Sequence, residues 1–236
     1  LALVAFRAGL RSQEKAQAYE LLEQILASKS STEQTREDLV EILLESNHLA
    51  KAIELVEKAG ENPTIRWKTA LKLLRIGDSE RGSRMALEAI SRAPEAIAPA
   101  VLASFVEDPK LLPTQLADKA VSAICSGKNV QWVCGFYAGL RMIEKGDVVS
   151  AVKTWTASTR GAKSRWSLVV GATRALLRAG KVAEAKSFVE TTMESFSREY
   201  VNNAIIETMK DLVQRGEIPS NVLKDAGAWA REMASF

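Results

Sequence analysis

At 236 residues the chain is long enough for one large domain or two small ones, with a substantial core in either case. Apolar residues make up 47% and charged residues 26%, and Gly (13) and Pro (6) are sparse beside Ala, Leu, Glu, Lys and Arg, a balance that favours helix over strand. A formal net charge of +3 does not demand a polyanionic partner, and no apolar run approaches the roughly 18 residues a membrane-spanning helix needs.

The opening stretch LALVAFRAGLR lacks the basic start and small-residue cleavage site of a signal peptide. It reads as the end of a first helix whose earlier part lies upstream in a longer chain. Targeting therefore stays open, with cytoplasm and periplasm equally compatible. AQAYELLEQIL and HLAKAIELVEKA follow as amphipathic helices, with Ala18 and Ala52 at equivalent places 34 residues apart (52 − 18). Between them the turn Ser46-Asn47-His48 uses Asn47 where glycine would serve, because Asn tolerates positive φ. His48, the single histidine, is expected to be solvated there. The carboxylates of Glu37, Asp38 and Glu41 read as solvent-facing charge on a helix.

LKLLRIGDSERGSRMALEAISRAP contains two helices, with Gly77 ending the first and Pro94 following the second. EDPKLLPTQ (107–115) is the clearest interruption. Pro109 and Pro113 should bound a loop, with Pro113 or Thr114 opening the next helix, and the stretch reads as an irregular repeat within one domain. Cys125 and Cys134 are too few for a disulfide-dense scaffold and read as two free thiols in or near helices, where they behave as small hydrophobes.

VQWVCGFYAGLRMIEK, Gly146-Asp147 and VVSAVKTWTAS form a helix, a turn and a second helix. LLRAGKVAEAKSFVE (176–190) repeats that grammar around Gly180. The step from Gly146 to Gly180 is 34 residues (180 − 146), and the same step carries Ala151 to Ala185 and Trp132 to Trp166. Other spacings are looser: Ala52 to Gly82 is 30 residues (82 − 52) and Gly180 to Gly216 is 36 (216 − 180), as surface loops of varying length would produce. The closing DAGAWAREMASF places Ala226, Trp229, Ala230 and Met233 on one helix face, fit to cap a stack or dock on a further repeat. No stretch alternates with period two, so no sheet is expected.

These residues resemble tetratricopeptide (TPR) repeats. Around Gly146 the pattern's Leu-Gly pair falls on Ala138-Gly139, its aromatic on Met142, its small residue on Ala151, the following aromatic on Trp155 and the second small residue on Ser158. Around Gly180 the same places hold Ala172-Thr173, Leu176, Ala185, Val189 and Thr192; around Gly77 they hold Thr69-Ala70, Leu73, Gly82, Ala86 and Ala89, closed by Pro94. The units are degenerate, for no Leu-Gly pair is intact. The resemblance implies an all-α fold: an α-α superhelix over residues 1–236, a single domain of about six to seven antiparallel helix pairs.

By that resemblance the first helices line a concave face. The projection puts Trp67, Leu71 and Arg75 on it from one unit, Phe136, Leu140 and Ile143 from another, and Val170, Arg174 and Arg178 from the next. Aromatic and arginine side chains are the types that dominate interface hot spots. The implied function is a non-catalytic protein–protein interaction scaffold that binds a peptide or protein partner in the groove, of a kind found in bacterial assembly and envelope-export complexes. The uncapped ends of such a stack leave homo-oligomerisation open. A carboxylate clamp for acidic peptide tails is not expected, since position 171, where a clamp Asn would be sought, is Gly.

No catalytic residue, cofactor or metal ligand is assigned. The chain has no GxxxxGK[ST] or GxGxxG phosphate cradle, no histidine pair and no closely spaced cysteines, and the Ser-Lys pair in GAKSRW has no supporting motif. An alternative reading comes from GKVAEAKSFVETTM, which is also similar to pentatricopeptide repeats that bind single-stranded RNA. The low net charge and the lack of recurring Asn, Thr or Asp at base-reading places argue against nucleic acid as the partner. A third reading makes the chain a structural segment of a long solenoid.

Overall fold

The computed structural model describes residues 2–11, 15–28, 32–59, 62–127, 131–160, 165–192 and 198–235. Among them are fourteen α-helices and one 3-10 turn, with no strand. The chain divides into two compact units, 1–97 and 98–236, and the division falls inside a helix that starts at Pro94 rather than in the loop at 107–115.

The first unit contains α1 (Ala2–Arg11), α2 (Lys15–Ala27), α3 (Glu33–Glu45), α4 (Leu49–Ala59), α5 (Pro63–Arg75) and α6 (Ser79–Arg92), packed as consecutive hairpins. The local chemistry at the turns explains the boundaries. Asn47 (φ +62°) and Gly77 (φ +88°) take the left-handed conformation that ends α3 and α5. Asp78 then accepts the Arg81 backbone N–H at 3.2 Å, which caps α6, and Asn62 accepts from Thr64 and Ile65 at the start of α5. Leu22, Leu39, Leu43 and Trp67 are fully enclosed in the core.

One surface expectation changes here. His48 does sit in the α3–α4 turn, but it is half-buried, with its Nδ1 2.6 Å from the Tyr19 hydroxyl and the two rings edge-to-face at 5.7 Å. Packing of α2 onto the turn removes the solvation a free turn would have. Glu37, Asp38 and Glu41 keep part of their surface open to solvent, and each also has a partner: Asn62, Gln34 and Lys68 respectively.

The helix α7 (Pro94–Glu107) leads into the second unit, followed by α8 (Thr114–Cys125), α9 (Gln131–Glu144), α10 (Val148–Thr159), α11 (Arg165–Arg178), α12 (Val182–Thr192), α13 (Arg198–Gln214) and α14 (Leu223–Ala234). Gly146, Gly180 and Gly216 all have positive φ (81°, 72° and 67°), so the spacing seen in sequence marks the same backbone event each time. Ala151 and Ala185 are both fully buried. Trp132 and Trp166 both stand in the first turn of their helices, and Tyr200, a further 34 residues on (200 − 166), lies 4.8 Å from Trp166. Ala226, Trp229 and Met233 of α14 are buried, and α14 packs on α13 and α12.

The centre of this unit is aromatic. Trp155 stacks on Phe136 at 6.0 Å, approaches Phe188 at 6.3 Å, and donates its indole N–H to the Phe136 carbonyl at 2.9 Å. Gly139 makes this crossing possible: a Cβ there would lie 2.1 Å from the indole nitrogen.

Cys125 and Cys134 are not free thiols. They form a disulfide between the last residue of α8 and the first turn of α9, with Cα atoms 5.9 Å apart. The short connection between the two helices brings the two ends within bonding range. The Tyr137 hydroxyl adds a second tie, donating to Asp118 of α8 at 2.8 Å. Burial, and then this bond to a carboxylate, push its pKa up to about 12. The Lys163–Ser164 pair of GAKSRW lies outside the described residues.

Candidate partner-binding groove

The side chains assigned to a concave face divide into three groups. Trp67 and Phe136 are fully buried, and Leu71 is nearly so, which corrects the expectation of exposed aromatic anchors. The cause at Phe136 is visible: Trp155 covers one side, and Gly171 approaches so closely that a Cβ on it would lie 2.9 Å from Phe136 Cζ. Arg75, by contrast, is exposed in the first unit, and Val170 is half-buried in the second.

Arg174 and Arg178 hold helices together. Arg174 pairs with Asp211 of α13, which also accepts from Arg215 at 2.8 Å. Burial alone would raise the Asp211 pKa, but the hydrogen bonds from Arg215 and Arg174 outweigh it and hold the carboxyl below its ordinary range. Arg178 uses its nitrogens in three directions: Nε donates to Glu217 at 2.7 Å, Nη1 to the Val106 carbonyl at 3.1 Å, and Nη2 to the Glu107 carbonyl at 2.8 Å. Those carbonyls belong to the last turn of α7, so the guanidinium caps one helix while anchored on another.

Leu140, Ile143 and Arg178 do come together. They line a groove of about 440 Å³ at the C-terminal ends of α9 and α11, with Ala175 and Ala179 completing an apolar floor. Asp108, Pro109, Lys110, Glu144 and Glu217 form its rim. Leu140 is 8% exposed, Ile143 is half-buried and Ala179 is open to solvent, so the floor grades from core to surface. The volume lies in the range of pockets that hold small ligands or a few side chains.

Sequence reasoning missed the rim and half the floor. Ala175 on α11 and Ala179 just past its end are four residues apart, and the Ala179 N–H still bonds the Ala175 carbonyl at 3.1 Å, so the helical spacing that puts them on one side was readable. Glu217 follows Gly216 as Asp147 follows Gly146, but nothing local says that it turns toward Arg178. Comparison of the chain with protein-family models, with curated proteins and with solved structures finds no match.

Proposed function

We propose that the chain is a non-catalytic interaction scaffold, a superhelical stack of TPR-like hairpins that holds a peptide or protein partner. The observation that supports this reading is the groove between α9 and α11. Its apolar floor is built by two helices that begin successive hairpins one repeat apart, and charged residues surround it. A surface assembled from the repeat itself suits recognition, since interface cores are apolar and their rims polar. Small residues at the helix crossings support the repeat part of the reading: Ala151, Ala185 and Ala86 are all fully buried.

The test is to compare capture of proteins by wild type and by Ile143→Arg/Ala179→Arg, two accessible floor positions where a charged side chain can be added without opening the core. A protein retained by the wild type and lost from the variant, at unchanged melting temperature, is the expected result. Equal retention by both, or turnover of a substrate by the purified chain, would overturn the reading.

A further inference from the structure

We infer that the α9–α11 groove receives a peptide segment in which a bulky apolar side chain stands beside a lysine or arginine. The inference rests on the scaffold reading and assigns the partner's chemistry. The floor of Leu140, Ile143, Ala175 and Ala179 offers an apolar seat and no hydrogen-bonding side chain. An anchor there is apolar, because a polar group would lose its water without replacement.

The electrostatics decide the neighbour of that anchor. Carboxylates outnumber cations on the rim, with Asp108, Glu144 and Glu217 against Lys110 and Arg178. Arg178 has little left to offer an anionic guest beyond one remaining Nη1 N–H. Its three nitrogens are committed to Glu217 and to the Val106 and Glu107 carbonyls, and its charge is matched by the Glu217 carboxylate 2.6 Å away. Glu217 is thereby neutralised too, which leaves the carboxylates of Asp108 and Glu144 against the single cation of Lys110 among the lining residues. Glu144 receives Arg141 from the preceding turn, but both side chains are well exposed, so that pair is weak and easily exchanged. The groove also lies where α9 and α11 end, and helix C-termini carry partial negative charge. A cation beside the anchor meets carboxylates and helix ends; an anion meets the same groups and is repelled.

Three fluorescent synthetic peptides test this against the intact chain by anisotropy: Ser-Lys-Leu-Phe-Lys-Ser, its counterpart with Glu for both Lys, and its counterpart with Ala for Leu and Phe. The basic apolar peptide is expected to bind about tenfold more tightly than either other, with the margin over the acidic one shrinking as salt is added. Glu144→Lys should remove most of that preference, Ile143→Arg should remove binding, and Lys224→Glu on α14 should change neither. Circular dichroism and melting establish that each variant is folded.

Equal binding of the acidic and basic peptides would overturn the inference, as would binding that survives Ile143→Arg. If a captured protein is still lost on Ile143→Arg/Ala179→Arg while the acidic peptide binds as well as the basic one, the scaffold reading stands and the partner chemistry fails. If no peptide binds and capture is indifferent to the groove variants, both fail.

Discussion

The hairpins α5–α6 and α9–α10 use the same turn and opposite crossings. Each turn is a Gly-Asp pair: Gly77 and Gly146 take φ of +88° and +81°, and Asp78 and Asp147 cap the next helix by accepting from Arg81 and Ser150. At the crossing, however, the residue that gives up its side chain changes helix. In α5–α6 it is Gly82 on the second helix, facing Leu74 on the first. In α9–α10 it is Gly139 and Gly135 on the first helix, facing Trp155 and Ser158 on the second. The turn is a local backbone requirement and has one solution. The close approach is a property of two surfaces, so either surface can supply the gap.

Gly139→Ala should have the largest effect. Its Cβ would stand 2.1 Å from Trp155 Nε1 and 2.4 Å from Cε2, and the fully buried indole cannot move aside without breaking its bond to the Phe136 carbonyl. Overpacking together with that lost bond costs about 3 kcal/mol in urea denaturation. Ala185→Leu comes next at about 2 kcal/mol, because Ala185 is fully enclosed and the added atoms have no room. Gly82→Ala should cost about 1 kcal/mol, since its Cβ would meet Leu74 Cγ at 2.8 Å and the Ala70 carbonyl at 3.1 Å, milder overlaps than at Gly139, and alanine is the better helix former. Equal losses at Gly139 and Gly82 would show that the two crossings are equally tight and would erase the distinction.

The same contrast explains what could be read from the sequence. Gly77, Gly146, Gly180 and Asn47 were legible because a left-handed residue restricts its own type whatever surrounds it. The buried alanines at 151 and 185 were legible through their period. Phe136 and Trp67 were misplaced because helical periodicity says which side chains share a face, not whether another element covers it. Trp155 on the paired helix α10 and Gly171 on α11, the first helix of the next hairpin, cover Phe136, and the repeat period does not say which of their faces meet it. The disulfide failed for a related reason: whether Cys125 and Cys134 meet depends on how α9 turns after α8, and a separation of 9 residues does not fix that. The groove was half legible, through Leu140, Ile143 and Arg178, and its rim depends on contacts such as Arg178–Glu217 that span 39 residues.

The turns test the shared half of the comparison, with effects no larger than at Gly82. No atom lies within 4 Å of a Cβ built on Gly77 or Gly146, so alanine at either meets only backbone strain. Each substitution should lower stability by about 1 kcal/mol, and by the same amount at both turns. Unequal losses would mean that the turns are not equivalent. The finest distinction lies at Asp147, whose carboxyl is held below its ordinary pKa by hydrogen bonding to the Ser150 side chain and then to its backbone N–H. A carboxyl with a depressed folded-state pKa stabilises the fold above its unfolded-state pKa, and that contribution disappears as pH falls through the lower, folded value. Asp147→Asn keeps an N-cap acceptor but removes the titration. Wild type and variant should therefore melt almost alike in acid, below the folded-state value, and differ slightly at neutral pH, with the wild type the more stable. A difference that stays constant across the acid range would show that the Asp147 cap acts by geometry alone.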